Sequence, residues 1–374
     1  MTTTHFYPPT VEAARAHFQA WVPRLQARWP QARWRSRPME AADATLTWLE
    51  APATHEPRHA LLLSAGLHGI EGHVGAAMLD LFLRTFADRL DARTTGLYVL
   101  PVLNPWGMAH GRRVNAANVD LNRNFWPAGQ AGPVNADYAA LHPFLNPTRA
   151  VQARDRWLFW PRGWAALRRA GGLGALRRAS LQGQSQFPQG IFFAGQAEQP
   201  ETRAIRAVTE AIVRQHNAVV HVDMHTGFGP RGVLTLILPS HDEDGPAAWR
   251  ERLGYAPITR TAGADLYPIQ GAWQEDLGRQ ARAHGTALAA VTFEFGTLGH
   301  GALAQLRSLR AVVLENQCYH YGAAAPRVRR WVQSEFQALF APDDPAWRAR
   351  AAQQARRAFA ALLDAWARGA LFGG

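Results

Sequence analysis

Short apolar runs alternate with longer amphipathic stretches along this 374-residue chain. Residues 10–28 repeat their apolar positions at helical spacing and predict a helix, whereas "DATLTWLEA" (43–51) alternates as a strand does. "ALLLSAG" (60–66) reads as a short buried strand. "HVGAAMLDLFLRTFADRL" (73–90) follows as a helix with an apolar face, and "TGLYVLPVLNP" (95–105) as a strand closed by Asn-Pro, a turn signal. Further on, the pattern predicts an amphipathic stretch at 154–180, a helix over 200–215, and strands at 217–227, 232–240 and 288–297. An arginine-studded helix over 345–370 closes the chain. Strands alternating with helices predict an α/β fold, a single domain over 1–374 with a mixed, largely parallel twisted sheet covered by helices on both faces. In such sheets ligands bind outside the carboxyl ends of the strands.

Composition narrows the class. Hydrophobic residues make up 47% and charged residues 18%, which describes a globular chain rather than a disordered one. All 40 basic residues are arginine and stand against 29 acidic residues, for a net charge of +11. Arginine neutralises phosphate, so a basic nucleic-acid-binding protein with an incidental site is one reading. The arginines are spread over the whole chain beside plentiful alanine, glycine, proline and tryptophan, so compositional bias is the simpler one and no nucleic-acid partner is expected. The most basic window, 154–180, suits a lid, a subunit contact of a homo-oligomer or a surface helix. Cys318 is the sole cysteine, which excludes an internal disulfide. With no signal-peptide pattern and no run apolar enough to span a membrane, a cytoplasmic protein without a membrane partner is expected.

Polar chemistry gathers where strands end. "GLHGIEGHVG" (66–75) follows directly on a buried strand and holds His68, Glu71 and His73. Imidazole nitrogen and carboxylate oxygen are both good zinc ligands, and a strand-to-helix turn can aim His68 and Glu71 at one point. A surface turn with a glutamate favouring the helix dipole fits the same residues. H-E-x-x-H is absent, and Gly72 breaks H-x-x-E-H. "HVDMHTG" (221–227) puts His221, Asp223 and His225 on one strand face. His225, at the strand end, stands where a third ligand is expected. His221 reads better as a residue hydrogen-bonded within the sheet, and Asp223 as either a support behind the ligands or a strand-end partner. Glu294 lies between Phe293 and Phe295 in an apolar strand, where a carboxylate is costly unless paired or useful. Near zinc it could move protons; otherwise it is a salt-bridged core residue. "NPWGMAHGRRVNAANVDLNRNF" (104–125) offers Arg112, Arg113, Asn122 and Arg123, groups suited to a carboxylate or an oxyanion.

The order of these motifs resembles the zinc carboxypeptidase superfamily, that of carboxypeptidase A: H-x-x-E, then R-x-N with D-x-N-R-N-F, then a histidine after an apolar strand, then a glutamate in another strand. The likeness runs from about 60 to 300. "HVDMHTGFGP", "FEFGTLG" and "QGIFFAGQ" look more like a little-characterised bacterial branch, and D-x-H is similar to aspartoacylase and succinylglutamate desuccinylase. The resemblance implies one Zn2+ held by His68, Glu71 and His225, with Asp120 bracing His68. It implies Glu294 as general base and acid, Arg113 (or, failing it, Arg112) at the oxyanion, and Asn122 with Arg123 on the substrate's terminal carboxylate. Tyr267 is the candidate for the family's mobile tyrosine. Residues 127–195 have no counterpart in the minimal fold and suit an insertion or lid. The implied function is a zinc-dependent hydrolase that cuts an amide bond next to a free carboxylate, a metallocarboxypeptidase for short peptides. The alternative is an N-acyl amino acid deacylase.

Overall fold

The computed structural model describes residues 6–39, 45–127, 129–130, 132–261 and 270–372. Eight strands, β1 (Arg33–Pro38), β2 (Thr45–Ala51), β3 (His59–Ala65), β4 (Thr95–Val102), β5 (Ala218–Gly227), β6 (Leu234–Leu238), β7 (Ile258–Arg260) and β8 (Ala287–Gly296), form one sheet in the order β1-β2-β4-β3-β5-β8-β6-β7. The centre, β4-β3-β5-β8, is parallel throughout, while β1, β2 and β6 join their neighbours antiparallel and β7 runs parallel to β6. The expected mixed, largely parallel sheet is the one observed.

Helices α1 (Val11–Gln19) and α2 (Val22–Gln26) open the chain, and α3 (Gly72–Phe86) and α4 (Pro105–Ala109) follow β3 and β4. Between 127 and 195 come α5 (Ala136–Leu145), α6 (Asp155–Ala170) and α7 (Leu173–Gln182). The rest are α8 (Pro200–Gln215), α9 (Gly245–Leu253), α10 (Trp273–His284), α11 (Ala302–Tyr321), α12 (Pro326–Phe340) and α13 (Pro345–Ala367). The helix expected over 10–28 is two, because Pro23 has no N–H to give the Gln19 carbonyl, where α1 ends. The strand expected to reach 105 stops at Val102, and the Asn104 side chain caps α4 by accepting the Gly107 N–H at 2.9 Å.

Side chains alternate between the two faces of the central strands, as a period of two requires. Leu61, Leu63, Val220, Val222, Met224 and Phe293 pack with α3 and α13 in the main core. Ala60, Leu62 and Val219 face the other way, into a second core with α8 and α10. A third cluster joins Tyr138, Leu141, Phe159 and Leu167 of α5 and α6 to Leu309 and Val313 of α11. Several arginines work inside this frame, including Arg310 on Glu335 at 2.8 Å and Arg206 on Asp276 at 3.0 Å. Among the described residues, no helix is long and apolar enough to cross a membrane.

Candidate metal centre and active site

The turn after β3 is shaped by backbone crowding. Gly66 adopts φ +71°, and a Cβ on Gly69 would lie 2.2 Å from the Gly107 carbonyl carbon, so neither position accepts a larger residue without strain. The Gly69 and Ile70 N–H groups donate to the Arg113 and Arg112 carbonyls at 3.1 and 2.9 Å. A tight 3-10 turn over Gly69–Glu71 is thereby stitched to the arginine loop, and His68 and Glu71 face inward together.

His225 meets them from the end of β5. Its Nδ1 lies 3.0 Å from Glu71 Oε2 and 3.2 Å from His68 Nδ1, while His68 Nδ1 lies 2.9 Å from Glu71 Oε1. All three residues are buried, and their ligating atoms lie within 4.8 Å of one another. Each ring is tied from behind: His68 Nε2 faces Asp120 Oδ1 at 3.2 Å, and His225 Nε2 faces Asp223 Oδ2 at 2.7 Å. A ring that donates Nε2–H to a carboxylate, as His225 does to Asp223, has its Nδ1 lone pair free for a cation. Two imidazole nitrogens and one carboxylate form a donor set that zinc accepts. Asp223 sits behind the His225 ring, on the side away from Glu71. His73 is turned away, its Nδ1 2.8 Å from the Pro8 carbonyl.

Glu294 is the register partner of His225 on the adjacent strand β8, and its Oε1 accepts the Phe228 N–H at 2.9 Å. Burial and the neighbouring Glu71 charge push its pKa up to about 7. Glu71 is the opposite case: burial works to raise it, yet the His68 and His225 rings and their hydrogen bonds hold it below the ordinary carboxylate range. Burial alone would lower His225, but Asp223 and Glu71 outweigh it and raise the ring well above an ordinary histidine. The two neighbouring carboxylates are thus pushed in opposite directions, Glu294 toward its neutral form and Glu71 toward its ionised one.

The arginines separate by exposure. Arg113 places Nη2 2.7 Å from His68 Nε2 and 3.2 Å from Asp120 Oδ2, and its side chain keeps 18% of its surface open. It lines a small cleft together with Arg112, Asp120, Phe192, Val312, Glu315 and Phe336. Arg112 turns instead to α11, pairing with Glu315 at 2.9 Å and Asn316 at 3.0 Å, with its guanidinium 3.7 Å above the Tyr319 ring. Arg123 is enclosed at 4% exposure, bound to Asp120 and donating to the Ser180 carbonyl of α7 at 2.8 Å. Asn122 accepts the Trp273 N–H at 3.0 Å. Arg112 and Arg123 thus have protein partners in the places where the sequence suggested substrate. The stretch after α7 is laced onto the same loop, since the Asp120 N–H donates to the Phe193 carbonyl at 2.8 Å. Tyr267 lies outside the described residues.

His221 is hydrogen-bonded within the sheet as expected, through Ser64 Oγ at 3.0 Å, and Ser64 in turn donates to Asp223 Oδ1 at 2.7 Å. Ser64 escaped the sequence reading, although a lone hydroxyl in "ALLLSAG" was a signal available to it.

The sequence model of a protein family described as "Protein of unknown function (DUF2817)" matches residues 8–354. The chain belongs to the DUF2817 family. Among curated proteins, this DUF2817 chain is similar to murein peptide amidase A of Escherichia coli strain K12, 38% identical over 91 residues. The O157:H7 enzyme matches equally. The matched stretch is 23% of this chain and about a third, 35%, of each amidase. The local identity agrees with the resemblance read from the motifs. Among solved structures, the DUF2817 chain is similar to bovine thrombin-activatable fibrinolysis inhibitor at TM-score 0.45 and 14% identity, covering 85% of this chain and 96% of that one. Carboxypeptidase A from Helicoverpa armigera gives TM-score 0.46, 14% identity and coverages of 92% and 73%. Murein-tripeptide amidase from Escherichia coli O157 gives 0.36, 19%, 75% and 91%.

Proposed function

We propose that this protein is a zinc-dependent hydrolase that cuts an amide bond beside a free carboxylate in short peptides. The observation that carries the reading is the convergence of His68 Nδ1, His225 Nδ1 and the Glu71 carboxylate on one buried point, with Glu294 on the strand beside them. His68, Glu71 and His225 would hold the ion. A zinc ion held there supplies Lewis acidity toward the scissile carbonyl and makes water a better acid.

Glu294, with its raised pKa, takes a proton from the attacking water and returns it to the leaving amine. The Phe228 N–H fixes which carboxylate oxygen is free to do so. Arg113, the more exposed of the two loop arginines, steadies the negative charge that develops on the carbonyl oxygen. Residues 127–195 act as an insertion that covers the site, since α7 closes over Arg123 and Phe192 lines the cleft. That cover suits a small substrate better than an intact protein. Arg123 reaches a substrate carboxylate only when α7 lifts from it, and Asn122, whose Oδ1 accepts the Trp273 N–H, would offer that carboxylate its amide N–H.

The local identity to murein peptide amidase A supports an amide substrate of peptide type. The same enclosure supports a second reading, an N-acyl amino acid deacylase, because such a substrate presents the same bond and the same carboxylate. The test is a panel of short peptides with free or amidated carboxyl ends, run beside N-acyl amino acids, on zinc-loaded protein. Cleavage restricted to free-carboxylate substrates is expected. Equal turnover of amidated peptides overturns the carboxylate requirement.

A further inference from the structure

Behind the proposed metal centre a chain of hydrogen bonds runs deeper into the sheet, and its direction can be worked out from donors and acceptors alone. An ionised Asp223 accepts only, so the Ser64 hydroxyl must donate its single proton to Oδ1, 2.7 Å away. Ser64 Oγ is then an acceptor toward His221 Nε2 at 3.0 Å, which fixes His221 as the Nε2–H tautomer. On the other side, Asp223 Oδ2 accepts from His225 Nε2–H at 2.7 Å, so that Nδ1 is the nitrogen turned to the ligand side. Sheet register makes this possible: Ser64 pairs with Asp223 across β3 and β5, and His221 is two residues back on the same face.

The arrangement carries a cost that packing alone does not call for. His221 is fully buried in mid-strand, its Nδ1 has no hydrogen-bond partner among the described residues, and its ring stands edge-on to Trp273 at 4.7 Å. A leucine or phenylalanine there would meet Val219, Trp273 and Leu277 of the same core without an unsatisfied nitrogen. The nitrogen that is satisfied, Nε2, serves only to hold the Ser64 hydroxyl toward Asp223.

We infer that Ser64 and His221 are positioning residues for the metal centre: the relay His221–Ser64–Asp223 locks His225 in the ring orientation and tautomer that bind the ion. The inference rests on the zinc-site reading above and goes beyond it, to residues that touch neither ion nor substrate. Groups behind a metal-binding histidine commonly change metal affinity 10–100-fold.

The experiment is competition for Zn2+ against a chelating dye, on full-length wild type, Ser64→Ala, Ser64→Thr, His221→Leu and the Ser64→Ala/His221→Leu pair. Ser64→Ala is expected to weaken zinc about 10-fold or more, and His221→Leu by less. The pair should lose no more than Ser64→Ala alone, because both act through one path. Ser64→Thr, which keeps the hydroxyl, should recover most of the affinity. Wild-type affinity in both single variants overturns the relay, and so does a pair whose losses simply multiply. Should the variants not fold, histidine 15N NMR of wild type decides alone: His221 protonated at Nε2 supports the relay, and protonation at Nδ1 overturns it. A folded wild type with no zinc affinity overturns the metal-site reading instead, a result distinct from any of these.

Discussion

His225 and Glu294 are register partners on adjacent parallel strands, so the last proposed ligand and the proposed proton carrier are placed by the same backbone ladder. Strand pairing fixes their relation without help from any mobile loop, which is the precision that a site on rigid elements has over one on loops. Glu294→Gln keeps size and hydrogen-bonding shape while removing the base. Turnover is expected to fall about 10²- to 10⁴-fold, with zinc content unchanged by metal analysis.

The same substitution has an opposite effect on stability. Burial, with the Glu71 charge second, raises Glu294 from 4.5 to about 7. Because the folded pKa lies above the unfolded one, the protonated acid favours folding below about pH 4.5, and that contribution is lost as pH rises through 7. Above pH 7, ionised Glu294 costs the zinc-free protein on the order of 3 kcal/mol. Zinc-free Glu294→Gln should therefore unfold at higher urea than wild type at pH 8, with the gap closing toward pH 5. Equal midpoints at both pH values would contradict the buried-acid description.

His225 sets the pH dependence of metal uptake. Asp223 and Glu71 overcome burial and raise its pKa well above that of a free histidine. Binding at Nδ1 needs the ring without its second proton, so zinc affinity should rise with pH. Calorimetric titration in buffers of different ionisation enthalpy should show proton release on binding that declines as the pH is raised.

How much of this was legible in the sequence follows from the distance over which each cause acts. His68 and Glu71 were readable because one turn carries both, and His225 because strand alternation places it at a strand end. The role of Asp223 stayed open because its partner Ser64 arrives on β3, and only the strand order brings the two together. β1 was missed because it is an arginine-rich edge strand exposed along most of its length, with no apolar alternation to detect. α11 was missed because it buries Arg310 and pairs Arg112 with Glu315, which breaks its apolar periodicity. Arg123 has the sequence of a carboxylate anchor, yet its cover comes from α7, some 57 residues on, through the Ser180 carbonyl.

The two loop arginines should respond to mutation in different ways. Arg113→Ala removes the more open of the two guanidinium groups and should lower kcat about 10²- to 10³-fold, with a loss of stability moderated by Arg123, which still pairs with Asp120. Arg112→Ala leaves the half-buried Glu315 without its cation and Asn316 without a donor, and should cost about 1–3 kcal/mol in urea unfolding. Thermal and kinetic measurements on the pair separate the roles, and a reversal of the two outcomes would reassign the oxyanion contact to Arg112.

Zinc binding is the most direct test. Full-length protein stripped with a chelator and titrated with Zn2+ should take up one ion per chain, and His68→Ala, Glu71→Ala and His225→Ala should each abolish or severely weaken that uptake. His73→Ala should bind as wild type does. A folded wild type that takes up no zinc, or three ligand variants that bind it undiminished, would contradict the metal centre on which the proposed function stands.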